Sequence, residues 1–248
     1  RYWTEKSDPA GKAFTRIAKT FFSKTVALAK SLPFEHIGRC NIIAPPRREQ
    51  VLRGVLLRQP GNFHVLMALA NLHPVTDDGL ADRLGWYRAA VVARPANPMV
   101  WNNLGAVCMS RNDLTGAVDH FREAVRVDPG YHIAHINLAL ALGKLGDADG
   151  SIASYRDALR LEPRYHAGHS NLGAKLMAKG DHDGAIRHFN EAIALDPKYA
   201  PAHYNLSAAL AMKGRLIDSA KALNEAMRLD PGLKVATKFL DRMRPKKD

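Results

Sequence analysis

The sequence predicts an all-α fold, a solenoid of about five helix-turn-helix units with an N-terminal helical extension and a C-terminal capping helix. Three observations carry that expectation. Pro95, Pro129, Pro163, Pro197 and Pro231 stand 34 residues apart. Other columns keep the same step: Leu104, Leu138, Leu172 and Leu206; Ala124, Ala158, Ala192 and Ala226; the large residues Phe121, Tyr155, Phe189 and Leu223; and the small residues Gly105, Ala139, Gly173 and Ser207. Within a unit, apolar residues recur at intervals of three and four on two segments (Leu104, Val107, Cys108, then Ala117, Phe121, Ala124, Val125), the period of amphipathic helices. A single helical pair cannot bury both its faces, so such units stack.

Residues 1–45 read as an extension. Over 8–32, Phe14, Ile17, Ala18, Phe21, Phe22, Val26, Leu28, Ala29 and Leu32 make the apolar face of a helix. Lys12, Arg16, Lys19, Lys24 and Lys30 dress its other side, and an irregular connector with Pro33, Gly38, Pro45 and Pro46 follows. Residues 46–61 read as a half repeat, a lone helix from Gln50 to Arg58 closed by Gln59-Pro60. The array spans 62–231. Its first unit, 62–95, is degenerate: Leu66, Leu69 and Ala70 fit a first helix that His73-Pro74 ends early, and Trp86, Tyr87 and Ala90 fit a second.

The regular units are 98–129, 132–163, 166–197 and 200–231. Asn112-Asp113, Gly146-Asp147 and Gly180-Asp181 break the chain between helices, because Gly and Asn tolerate the conformations a helix end requires. Asp128-Pro129 and its counterparts stop each second helix, since proline has no N–H and disfavours a helical predecessor. Residues 232–248 close the chain as a capping helix and basic tail, with Leu233, Ala236, Phe239, Leu240 and Met243 as its apolar stripe.

Trp101-Asn102-Asn103-Leu104-Gly105, followed by Cys108, Ala117, Phe121 and Pro129, resembles the tetratricopeptide-repeat (TPR) pattern W-x2-L-G-x2-Y…A-x3-F…P, with Cys108 in the tyrosine place. The resemblance covers 62–231 and implies a right-handed superhelix whose first helices line a concave groove. The array is also similar to the TPR domains of O-linked N-acetylglucosamine transferases and of some large bacterial serine/threonine kinases. On the first helices the resemblance implies a groove-facing stripe: Met99, Asn103, Ala106 and Ser110; Ile133, Asn137, Leu140 and Lys144; Ala167, Asn171, Ala174 and Ala178; Pro201, Asn205, Ala208 and Met212. Asn103, Asn137, Asn171 and Asn205 share one register. Each carboxamide offers a donor and an acceptor, which suits the backbone of an extended peptide, as asparagines do in those transferases. Packing between units is the competing job for the same four residues. Met99, Ile133, Leu140, Lys144, Tyr204 and Met212 complete the expected contact surface. Lys144 stands alone on these faces, without the further Lys and Arg residues needed to clamp a chaperone's C-terminal carboxylate, so that partner is not expected.

The net charge of +12 is unevenly placed. Residues 1–60 hold twelve Lys/Arg against four Asp/Glu, residues 61–233 eighteen against eighteen, and residues 234–248 six against two. A nucleic-acid-binding solenoid needs a basic stripe on the repeats themselves. The balanced middle argues against nucleic acid as a partner. The basic helix at 8–32 can lie on an anionic membrane, dock in a partner's groove or cap the solenoid. Phe14, Ile17, Phe21, Phe22, Lys12, Arg16 and Lys19 are its contact residues. No apolar run is long enough to span a bilayer, and two cysteines exclude a disulfide framework. The default compartment is the cytoplasm, with membrane association through that helix as the alternative. The chain starts at Arg1 and not at methionine, which is expected of a processed product or a piece of a longer protein.

No nucleophile, phosphate loop or metal motif stands out, so the expected protein is non-catalytic and without a cofactor or metal. His135, His169 and His203 repeat in the column of Trp101. Equivalent helices lie about 8–10 Å apart, too far for successive histidines to share an ion bound at about 2.0–2.1 Å. These rings are expected to fill the tryptophan slot, and His132 and His166 to lie exposed in the turns between repeats. The function expected is a scaffold that binds a partner protein or extended peptide within a larger multi-subunit complex. The alternatives are a regulatory segment of a kinase or glycosyltransferase, and an assembly factor on a membrane surface.

Overall fold

A computed structural model of the chain describes residues 45–73 and 77–232. Among the described residues there are eleven α-helices and no strand. The basic helix expected over 8–32, with all its contact residues, and the capping helix from Leu233 onward lie outside them. The chain divides into two compact units, residues 1–95 and 96–248.

The first unit holds α1 (Pro45–Leu56), α2 (Phe63–Leu72) and α3 (Asp77–Ala93). Asn62 caps α2 by accepting from the Val65 N–H, and the helix stops at Leu72, where His73 takes an extended conformation before Pro74. Leu52, Val65 and Leu69 are buried together, with Trp86 of α3 packed against them and the Arg53 guanidinium 5.2 Å over its ring. The buried Tyr87 donates its hydroxyl to Asn71 at 2.6 Å, tying α3 to α2.

The second unit is a stack of four pairs: α4 (Pro98–Ser110) with α5 (Leu114–Val127), α6 (His132–Leu145) with α7 (Ala148–Leu161), α8 (His166–Ala178) with α9 (His182–Leu195), and α10 (Ala200–Met212) with α11 (Leu216–Leu229). The turn inside each pair places one residue at positive φ: Asn112 at 59°, Gly146 at 91°, Gly180 at 87° and Gly214 at 73°. That region is steric ground for glycine, and asparagine visits it more readily than other side chains. The next residue then caps the second helix. Asp113, Asp147 and Asp181 accept from the N–H groups of Gly116, Gly150 and Gly184 at 3.0, 2.8 and 2.8 Å. Arg215, in the same column, makes no side-chain cap. At the far end, Asp128, Asp196 and Asp230 each accept from the N–H two residues on, so the acid before proline also shapes the turn between pairs.

The small and large columns are the two halves of one contact. A Cβ built on Gly105 would stand 2.6 Å from the Phe121 ring, and one on Gly173 would stand 2.7 Å from the Phe189 ring. Each ring therefore rests on the backbone of its partner helix. Neighbouring pairs share their cores: Cys108, Val118 and Phe121 are buried in one cluster with Leu138, Ala141 and Leu142 of α6. Among the described residues no helix is long and apolar enough to cross a membrane.

Candidate functional site

The stripe expected on the first helices is accessible along its whole length. None of its sixteen residues is buried, whereas the registers beside it (Val100, Leu104, Ala134, Leu138, Leu172, Leu176, Ala202, Ala209) are. Several apolar side chains are well exposed: Met99 at 48%, Ile133 at 41% and Met212 at 64%, with Leu140 and Tyr204 also exposed. Lys144 stands exposed at the end of α6. These exposed apolar side chains provide contact area along the stripe.

The four asparagines are all half-buried, yet they differ in employment. Asn137 donates through Nδ2 to Oδ1 of the buried Asn102, at 2.8 Å, joining α6 to α4. Packing between units is thus a job of this residue. Asn171 stands beside the hydroxyl of Tyr155, which is buried without a formed hydrogen bond. Burial pushes the Tyr155 pKa well up, the nearby Tyr165 adds to the rise, and the Asn171 amide opposes it. Asn103 and Asn205 make no side-chain hydrogen bond among the described residues.

The histidine column has a common structural role that spacing alone does not reveal. His135, His169 and His203 each place Nε2 3.0 Å from the carbonyl of the proline six residues earlier, Pro129, Pro163 and Pro197. A carbonyl only accepts, so each Nε2 carries the proton. Two recurrent columns, histidine and proline, are one hydrogen bond. His132 and His166 differ from expectation: they are the first residues of α6 and α8 and are partly buried. The His166 ring packs edge-on to Tyr199, 4.8 Å between centroids, with an Asp196 oxygen 4.0 Å from Nε2. Aromatic residues at the ends of consecutive units, Tyr165 and Tyr199, flank it and leave it part-exposed.

His188 was not singled out by the sequence, and it meets His169 across the α8–α9 pair with Nδ1 to Nδ1 at 3.1 Å. The signal lies in two columns 19 residues apart: Trp101 and His120, His135 and Ser154, His169 and His188, His203 and Ala222. In the first pair the same positions bring the Trp101 and His120 rings to 5.8 Å.

Ion pairs also link successive units. Lys179 pairs with Asp149, and Lys213 with Asp183 at 3.0 Å, each lysine reaching back to the second helix of the preceding pair.

Tetratricopeptide-repeat family models match residues 84–132, 133–165 and 173–214. No curated protein sequence matches the chain. Among solved structures it is similar to that of PilF from Pseudomonas aeruginosa, with a TM-score of 0.68 and 18% identity over 80% of this chain and 90% of that one. YrrB, described as a TPR protein with an unusual peptide-binding site, gives 0.64 at 20% identity over 77% and 97%. MamA gives 0.61 at 20% identity over 68% and 92%. At these identities the likeness is one of fold, and it agrees with the 34-residue register and the stacked pairs. The chain is a member of the tetratricopeptide-repeat family, built as an interaction scaffold.

Proposed function

We propose that the chain is a non-catalytic scaffold that holds an extended segment of a partner protein along the stripe of α4, α6, α8 and α10. One observation carries the reading: no stripe residue is buried, and exposed apolar side chains share the stripe with half-buried carboxamides. In this reading Asn103 and Asn205, whose amides are not used within the described residues, bind peptide backbone at the two ends of the stripe. Met99, Ile133, Leu140, Tyr204 and Met212 provide apolar contact between them. Backbone recognition of this kind sets strand direction and register more than side-chain identity.

The test is selection of a phage-displayed library of linear peptides against the wild-type chain, followed by titration of the winners. Asn103→Ala/Asn205→Ala should weaken them at least tenfold without lowering thermal stability. Asn137 is left intact because its loss disturbs packing. Equal affinity for the double variant sinks the proposal.

A further inference from the structure

The pair His169–His188 has a geometry that the other pairs lack. Its two Nδ1 atoms lie 3.1 Å apart, with ring centroids 5.3 Å apart and planes 32° from parallel. Two imidazole nitrogens bound to one tetrahedral ion at about 2.0–2.1 Å lie about 3.3 Å from each other, and about 2.9 Å in a square arrangement. Adding about 1.1 Å from nitrogen to ring centre gives a centroid separation near 5.2 Å for the tetrahedral case. The rings already stand at the separation a shared ion requires, and a modest tilt of each completes the bite.

The protonation pattern is prepared on one ring. His169 donates Nε2–H to the Pro163 carbonyl at 3.0 Å, which leaves Nδ1 as its lone-pair nitrogen. A second nitrogen anchored to a backbone carbonyl is the usual outer support of a metal-bound histidine. His188 sits partly buried opposite, its pKa lowered by burial first, then by His169, Arg187 and Arg156, with Glu191 acting the other way. Because His169 Nδ1 can only accept, the 3.1 Å contact is a hydrogen bond from His188 Nδ1–H, and an incoming ion takes the place of that proton, which moves to His188 Nε2 or to water. Among the described residues no group of three His, Cys, Asp or Glu side chains converges, so the chain supplies two ligands here and water the others.

We propose that His169 and His188 form a two-histidine site for a borderline divalent transition metal, with Zn2+ as the ion to test. Imidazole nitrogen suits zinc, copper and nickel, and two ligands with two nearby arginines make the site exchangeable and not structural. The distance objection to histidines in successive repeats does not apply, because this pair lies within one repeat. Ser154 and Ala222 hold the place of His188 in the units of His135 and His203, so the chemistry is confined to the third regular pair.

Titration of the intact chain with ZnCl2, followed by calorimetry and by nitrogen-15 imidazole spectra, tests the assignment. One equivalent should bind, moving the Nδ1 resonances of His169 and His188 while those of His203 stay in place. His169→Ala and His188→Ala should each weaken that equivalent at least tenfold, and His203→Ala should leave it unchanged. Ala222→His, which gives the fourth pair the same two columns, should add a second equivalent. Unmoved His169 and His188 resonances in the wild-type chain, or wild-type zinc affinity in both alanine variants, would overturn the proposal. So would an unchanged stoichiometry in Ala222→His.

Discussion

Replacing Asn137 by alanine should separate the two jobs that an asparagine ladder can have. Its Nδ2 is the donor to Asn102 Oδ1 at 2.8 Å, and Asn102 is 6% exposed. Removing the donor strands a buried carbonyl oxygen that water cannot reach. A buried polar group left unsatisfied costs about 1–3 kcal/mol, beyond the modest net worth of the bond itself. Asn103→Ala and Asn205→Ala remove half-exposed amides without internal partners, and such changes fall within about 0.5 kcal/mol. Urea titrations followed by far-ultraviolet circular dichroism measure all three. Asn102→Ala/Asn137→Ala closes the cycle: with both partners gone no carbonyl is stranded, so the double variant should be more stable than the two single losses summed, by about 1 kcal/mol or more. If Asn137→Ala costs no more than Asn103→Ala, or if the cycle is additive, the assignment of Asn137 to packing is wrong.

Two further outcomes follow from contacts within the repeats. Gly173→Ala puts a Cβ 2.7 Å from the Phe189 ring, an overpacking that costs about 1–3 kcal/mol, offset by the roughly 1 kcal/mol that alanine gains in a helix interior. Adding Phe189→Leu should rescue it, since Ser207 and Leu223 occupy these columns in the fourth pair; thermal melts showing strict additivity would refute the pairing of small and large columns. Asp181→Ala removes the N-cap of α9 and should cost about 1 kcal/mol, whereas Arg215→Ala, at a position without a side-chain cap, should cost less than about 0.5 kcal/mol. Equal losses in chemical denaturation would show that the aspartate column serves some other end.

What the sequence revealed is what repeats. Proline, leucine, alanine and the aromatic column do the same physical work in every unit, so their positions could be read by their 34-residue step. The stripe itself was placed by the family resemblance, and the 34-residue step then gave its equivalents in each unit, Asn103, Asn137, Asn171 and Asn205 among them. What varies between units was hidden. The column of Asn102 continues as Ile136, Ser170 and Tyr204, so nothing in it announces that one member accepts from Asn137, 35 residues away. His188 stands in a column with His120, Ser154 and Ala222, and its meeting with His169 depends on how two helices face each other. His166 looked like a turn residue because Tyr165 precedes it, but it opens α8 and packs edge-on against the next repeat's Tyr199.

Cys108 gives the array a clock. Its side chain is 5% exposed and lies in one buried cluster with Leu138, Ala141 and Leu142, residues that belong to the following pair. A thiol reagent in solution reaches it only while α6 has drawn back from α4 and α5. When closing is fast compared with modification, the labelling rate measures how often that seam opens, independently of global unfolding. An occupant held along α4 and α6 at once would bridge the seam. Its residence would then be recorded as slower chemistry at a sulfur atom it never touches.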